Sequence, residues 1–214
     1  MTIVELIFAD KKLCAFAVNK MKLSPELKAP SPKAWIDCVM NDFNSFLQDH
    51  ADCERKASSM AMSFVAKFHD KPEIVPLLIE TAIEELQHFE QVYQVMQNRG
   101  VHLRKDIPED EYVNALLKYC RSDRDGRALD RMLLASIIEC RGAERFKMVC
   151  DALQDEELKL FYRDLWTSEA KHGNIFVKMA LQYFDENEIQ KRLDYFVEKE
   201  AEVMLALPIR AALH

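Results

Sequence analysis

Apolar residues recur at three- and four-residue steps through most of this chain, the period of an amphipathic helix and not the alternation of a half-buried strand. From Lys33 to His69 neither Gly nor Pro interrupts the pattern, and Ala57, Ala61, Phe64 and Phe68 keep to one face, so one long helix is expected there. Lys71-Pro72 ends it. A second helix, with Pro76 tolerated in its first turn, is expected to run to Arg99-Gly100, where glycine suits the stop. Residues 100–126 hold Pro108, Gly126 and a short periodic run from Tyr112 to Tyr119, which reads as a crossover carrying a small helix. A third long helix is expected from Ala128 to Leu153. A fourth runs from Asp155-Glu156-Glu157, acids that suit a helix N-terminus, to Phe184. A last amphipathic stretch, Asp185 to Leu207, stops at Pro208.

Four long helices with one long connection between the second and third predict an all-α, ferritin-like four-helix bundle. The expectation is one domain over residues 1–214, with a core bundle over 33–184, an N-terminal element over 1–32 and a C-terminal helix over 185–207. Composition agrees: 49% hydrophobic and 30% charged residues suit a folded core, and 4 glycines are too few for the turns of an all-β chain. The six cysteines, Cys14, Cys38, Cys53, Cys120, Cys140 and Cys150, form no Cys-x-x-Cys pair and read as reduced thiols in a cytoplasmic protein. The apolar N-terminus is short and carries acids where a signal peptide needs a basic start, and no run is long enough to span a membrane.

Two helices carry the same chemical pattern. Glu85-Leu-Gln-His88 and Glu169-Ala-Lys-His172 each put a carboxylate and an imidazole on one face, three residues apart. Glu54 precedes Glu85 by 31 residues and Glu139 precedes Glu169 by 30, so the chain reads as two helical hairpins offset by 84 to 85 residues, each delivering a Glu and then a Glu-x-x-His. Four glutamates balance the charge of two Fe(II) ions, whereas bare they would repel and protonate. Mixed oxygen and imidazole donors suit iron better than zinc or copper. All four acids lie on apolar stripes: Glu54 with Ala57 and Ala61, Glu85 with Ala82 and Val92, Glu139 with Ala135, Gly142 and Phe146, Glu169 with Leu165, Gly173 and Phe176. The expected metal ligands are therefore Glu54, Glu85, His88, Glu139, Glu169 and His172.

Neighbouring residues are assigned by the same logic. Glu84 stands one turn before His88, but its counterpart in the second hairpin is Ser168, so the repeat selects Glu85. Glu144 lies about 140° around the helix from Glu139 and is expected to be solvated or hydrogen-bonded behind the site. His50 is expected on the helix surface, with a hydrogen bond near the site as the alternative. Cys53 and Cys140 read as small buried fillers. Phe64, Phe89, Tyr93, Phe146 and Phe176 fall near the ligand faces, as core or as lining of a pocket.

The segments Asp49-His-Ala-Asp-Cys-Glu54-Arg-Lys-Ala57, Glu84-Glu-Leu-Gln-His-Phe-Glu90, Ile138-Glu-Cys-Arg-Gly-Ala-Glu-Arg-Phe146 and Ser168-Glu-Ala-Lys-His172 resemble the bacterial tRNA hydroxylase family acting on 2-methylthio-N6-isopentenyladenosine. The resemblance spans Trp35 to Ala180. It implies a di-iron monooxygenase, with the six residues above as ligands, that uses O2 and an external electron donor to hydroxylate the prenyl group of a hypermodified adenosine beside the anticodon. Lys171 and Gly173 stand where the family has an arginine and an aromatic, a departure that bears on the pocket lining. The implied partners are tRNA and an electron-donating reductase, with no membrane and a monomer expected; the alternatives are another ferritin-like di-iron or di-manganese oxidoreductase, acting on a lipid, quinone or peroxide, and non-enzymatic iron binding.

The net charge of -7 excludes a uniformly positive, nucleic-acid-coating surface. Local excesses remain: residues 1–33 carry net +3 and residues 118–131 net +2. These segments, with Arg99, Arg104 and Lys105, are the candidate contacts to an RNA backbone.

Overall fold

Aspartates open five of the seven helices among the described residues. In the computed structural model, which describes residues 25–214, the side chains of Asp42, Asp110, Asp123, Asp155 and Asp185 each accept a hydrogen bond from a backbone N–H two or three residues on. Each satisfies a donor that the first helical turn would leave unpaired. The elements are α1 (Lys33–Asn41), α2 (Phe43–Lys67), α3 (Val75–Asn98), α4 (Glu111–Leu117), α5 (Arg124–Ala152), α6 (Glu156–Ala180) and α7 (Glu186–Ala206), with no strand among the described residues. None of these helices is long and apolar enough to cross a membrane.

The single helix expected over Lys33 to His69 is two. Asp42 leaves the helical region (φ -139°, ψ 64°), its N–H closing α1 on Cys38 and Val39 while its carboxylate opens α2 by accepting from Ser45. A side chain that bonds the local backbone breaks the helix without Gly or Pro. The third long helix starts at Arg124, four residues before the expected Ala128. Gly126, read as part of the crossover, sits in the first turn instead, where an added Cβ would lie 2.6 Å from the capping Asp123 carboxylate. Gly100 stops α3 in the left-handed region at φ 66°.

Packing pairs α2 with α3 and α5 with α6, the two expected hairpins, while α7 lies on α5 and the crossover helix α4 rests on α5 and α7. Two apolar cores form. One gathers Phe64, Leu78, Leu133, Phe176 and Phe196; the other gathers Phe46, Leu47, Val92, Phe146 and Tyr162. Each long helix passes from one core to the other, and the six expected ligands occupy the layer between.

Buried polar contacts tie the remaining segments on. Arg141, fully buried, reaches both Glu200 oxygens on α7, Glu144 on its own helix and the Ala29 carbonyl. Glu144, partly exposed, does not stand behind the site: it accepts from Ser31 and Arg141, anchoring the segment before α1. Residues 212 and 213 are held by Trp35, Arg145 and Asp49. Residues 1–24 of the N-terminal element, with Cys14 and four of its lysines, lie outside the described residues; the other five cysteines are free thiols.

Candidate metal centre

The structure brings all six sequence-predicted residues together. Glu54 comes from α2, Glu85 and His88 from α3, Glu139 from α5, and Glu169 and His172 from α6, all of them buried. Their donor atoms form two overlapping groups: Glu54, Glu85, His88 and Glu169, and Glu85, Glu139, Glu169 and His172, with donors in each group within 4.8 Å of one another. Glu85 and Glu169 belong to both. His88 Nδ1 lies 3.2 Å from Glu169, 3.6 Å from Glu85 and 3.7 Å from Glu54. His172 Nδ1 lies 2.8 Å from Glu85 and 3.5 Å from Glu169.

The electrostatics of this layer call for positive charge. Burial raises Glu139 well above the usual carboxylate range, reinforced by Glu169 and Glu85, and carries Glu85 up to about 7. Burial alone would lower both imidazoles, but the carboxylates around them outweigh it and push His88 up to about 12 and His172 up to about 11. Protons therefore stand in for cations here. Both oxygens of Glu85, Glu169 Oε1 and the Nδ1 atoms of His88 and His172 are buried and, close as they lie to one another, make no well-aligned hydrogen bond among the described residues. Such atoms are rarely left so in a folded interior, and a metal pair would satisfy all of them.

The rings and acids are held from behind. His172 Nε2 lies 2.6 Å from Glu84 Oε2, so Glu84 accepts the ring N–H and turns Nδ1 toward the acids. The repeat passed over Glu84 as a ligand; it serves as the partner of one. His50 is fully buried, not on the helix surface as expected: its Nε2 lies 2.7 Å from Glu54 Oε1 and its Nδ1 3.2 Å from the Tyr162 hydroxyl. Its place one turn before Glu54 was the available signal. Tyr162, seven residues before Glu169 and so on the same face of α6, went unread.

A cavity of about 250 Å³ opens from the acids. Glu54, Glu85, Glu139 and Glu169 form its floor, and Ala57, Met60, Phe64, Leu134, Ala135, Ile138 and Phe146 form apolar walls with Val113 and Leu117 of α4. Ala57, Ala135 and Gly142 leave the space. Of the five aromatics near ligand faces only Phe64 and Phe146 line it; Phe89 and Tyr93 stack on each other and Phe176 packs edge-on against Phe64 in the core. Lys171 is exposed, and Gly173 faces Cys140 across the α5–α6 contact, so neither departure touches the lining. Cys53, expected as a filler, borders the cavity, as do Leu213 and His214.

Known proteins resemble this chain in sequence and in fold. The family profile described as tRNA-(MS[2]IO[6]A)-hydroxylase (MiaE) matches residues 19–214. A tRNA 2-(methylsulfanyl)-N(6)-isopentenyladenosine(37) hydroxylase of Pseudomonas putida (strain KT2440) is 36% identical, covering 86% of this chain and 91% of its own. A protein of the same description from Salmonella typhimurium (strain LT2) is 30% identical, covering 92% and 93%. Among solved structures, Protein 43 with aldehyde deformylating oxygenase activity from Synechococcus superposes with a TM-score of 0.81 at 31% identity, covering 86% of this chain and 92% of that one. The fold is therefore ferritin-like, as the helix pattern predicts, and the chain belongs to the tRNA-(MS[2]IO[6]A)-hydroxylase (MiaE) family.

Proposed function

We propose that this chain is a di-iron, O2-dependent monooxygenase that hydroxylates the isopentenyl group of 2-methylthio-N6-isopentenyladenosine in tRNA. The observation that carries the reading is the pair of overlapping Glu/His groups opening onto an apolar cavity, in a chain of this family. Glu54, Glu85, His88 and Glu169 would hold one iron and Glu85, Glu139, Glu169 and His172 the other, with Glu85 and Glu169 standing in both donor groups. When bound, the metal pair supplies the O2 chemistry: with two electrons and two protons, one oxygen atom enters an allylic C–H bond and the other leaves as water. The chain's own residues bind and orient. Ala57, Met60, Phe64, Leu134 and Ile138 take the prenyl group out of water and lay it across the carboxylate floor. His50 and Glu84 keep Glu54 and His172 from turning away. Electrons come from a separate reductase, and the setting is the cytoplasm, where the chain acts as a monomer.

The test is direct. Anaerobic reconstitution with Fe(II) is expected to load two metals per chain, and deleting the gene to remove the hydroxylated nucleoside from total tRNA, with restoration by the intact protein and not by Glu139→Ala. Unchanged tRNA nucleosides in the deletion strain would sink the reading. The Synechococcus neighbour favours one second reading, an oxygenase acting on an aliphatic aldehyde in the same apolar cavity. Turnover of such an aldehyde alongside unchanged tRNA would select it.

A further inference from the structure

Basic side chains around the cavity are of two kinds. At the Lys56 and His214 end each has a partner: Arg104 pairs with Asp49 at 3.5 Å, Arg210 with Glu111 at 3.7 Å and His214 with Asp110 at 3.6 Å, while Lys56 donates to the Pro108 carbonyl. At the opposite end Arg131 of α5 lines the wall, with Arg127 one turn before it on the same helix and Lys67 closing α2, and none of the three has an acid partner among the described residues. Lys67 donates to Ser63 Oγ at 3.4 Å and otherwise sits over the Phe64 ring. Arg131 lines the cavity, and its Nε is buried without a hydrogen-bond partner. Nearby cations are already committed, Arg124 to Asp70 and Arg121 to Asp130 and Glu188.

Arg127 and Arg131 stand four residues apart on α5, so they share a face and repel one another. After partial burial, the nearness of Arg131 and Arg127 lowers the pKa of Lys67 further. In a chain of net charge -7, such a cluster at the rim of an apolar cavity is a site for an anion. Arg131 stands eight residues before Glu139, about 12 Å along α5, so the cation marks the rim while the carboxylates mark the floor. A prenyl chain reaching the floor leaves its purine at the rim and the flanking backbone outside.

Resting on the reading above, we infer that Lys67, Arg127 and Arg131 form the phosphate-binding ridge that holds the tRNA backbone beside the modified adenosine, with Arg131 reaching in toward the base. The paired cations at the other end take no part.

The experiment measures binding of tRNA carrying 2-methylthio-N6-isopentenyladenosine to the iron-loaded full chain by fluorescence anisotropy, between about 50 and 200 mM salt. Losing three phosphate contacts in Lys67→Gln/Arg127→Gln/Arg131→Gln is expected to flatten the slope of log Kd against log salt by about 2, so affinity changes roughly 20-fold less over that range. Arg104→Gln/Arg210→Gln keeps the intact slope. Should the triple variant fold poorly, Arg127→Gln alone, on an exposed side chain, flattens the slope by about 0.7. An unchanged slope in these ridge variants, or an equal flattening in the Arg104/Arg210 variant, overturns the ridge provided the intact protein binds and hydroxylates this tRNA. An intact protein that does neither overturns the parent reading instead.

Discussion

His50 and Glu54 meet at 2.7 Å in the buried layer, one helical turn apart, and Tyr162 lies 3.2 Å from the other ring nitrogen of His50. Burial drives the His50 pKa down to about 3, so the ring is neutral. Glu54 has the stronger claim on its one N–H, leaving Nδ1 to accept from the Tyr162 hydroxyl. His50→Ala removes the donor that orients Glu54 and is expected to weaken metal binding on the order of 10- to 100-fold. Tyr162→Phe leaves the ring in place and costs less. Anaerobic Fe(II) titration of the three proteins checks the order; equal affinities would show that Glu54 needs no such support.

Glu84 and Glu85 are adjacent in sequence but unlike in duty, and metal content separates them. Glu85 is common to both donor groups, so Glu85→Gln is expected to empty both positions. Glu84→Ala removes only the acceptor behind His172, weakening one position by about tenfold or more, while Glu84→Gln, which keeps an acceptor, falls between Glu84→Ala and the intact protein. Iron per chain after gel filtration reads the difference. Retention of both metals by Glu85→Gln would reverse the assignment.

Protons and metals compete for the same layer, which fixes a pH dependence. In metal-free protein His88 and His172 are raised to about 12 and about 11, so the stability they contribute is complete below pH 6.5, their ordinary value, and is lost as pH rises toward those limits. Glu85, raised to about 7, acts with the same sign from 4.5 upward. His50 is depressed and acts oppositely, but its contribution is already complete at pH 6.5. The melting temperature of metal-free protein is therefore expected to fall between pH 6.5 and about 8. Metal affinity rises over the same window as loading expels the protons. Thermal unfolding with and without Fe(II) under argon tests both halves, and a metal-free melting temperature that climbs with pH would contradict them.

Periodicity was enough to place the long helices, because a bundle helix must keep an apolar face, and the Glu and Glu-x-x-His repeat was enough to gather six residues from four helices. What escaped depends on facing surfaces. The break at Asp42 turns on a local hydrogen bond that competes with the helix, for which hydrophobic spacing carries no signal. His50 was misplaced because its neighbours Phe146 and Tyr162 come from α5 and α6. Leu213 and His214 reach the cavity only because Asp49 and Arg145 hold residue 213 in place. Contacts between residues far apart in the chain leave no periodic trace in one sequence.

Gly173 shows what one such contact requires. A Cβ there would lie 2.7 Å from Cys140 Sγ and 3.3 Å from the Ser136 carbonyl, and the Gly173 carbonyl accepts from the Ser136 hydroxyl, so α5 and α6 approach closely just where Glu139, Glu169 and His172 must converge. Gly173→Ala gains helix propensity, about 1 kcal/mol, but must displace Cys140 and crowd a backbone oxygen, and overpacking of this kind costs about 1–3 kcal/mol. A net loss of stability with weakened metal binding is expected. Cys140→Ala opens the space that the new methyl needs, so the double variant should recover most of the stability lost and most of the iron affinity. Denaturant unfolding and Fe(II) titration of the two single variants and the double variant form a cycle whose coupling measures the contact. Additive effects, with no recovery in the double variant, would mean that Gly173 matters for its backbone and not for the closeness of the two helices.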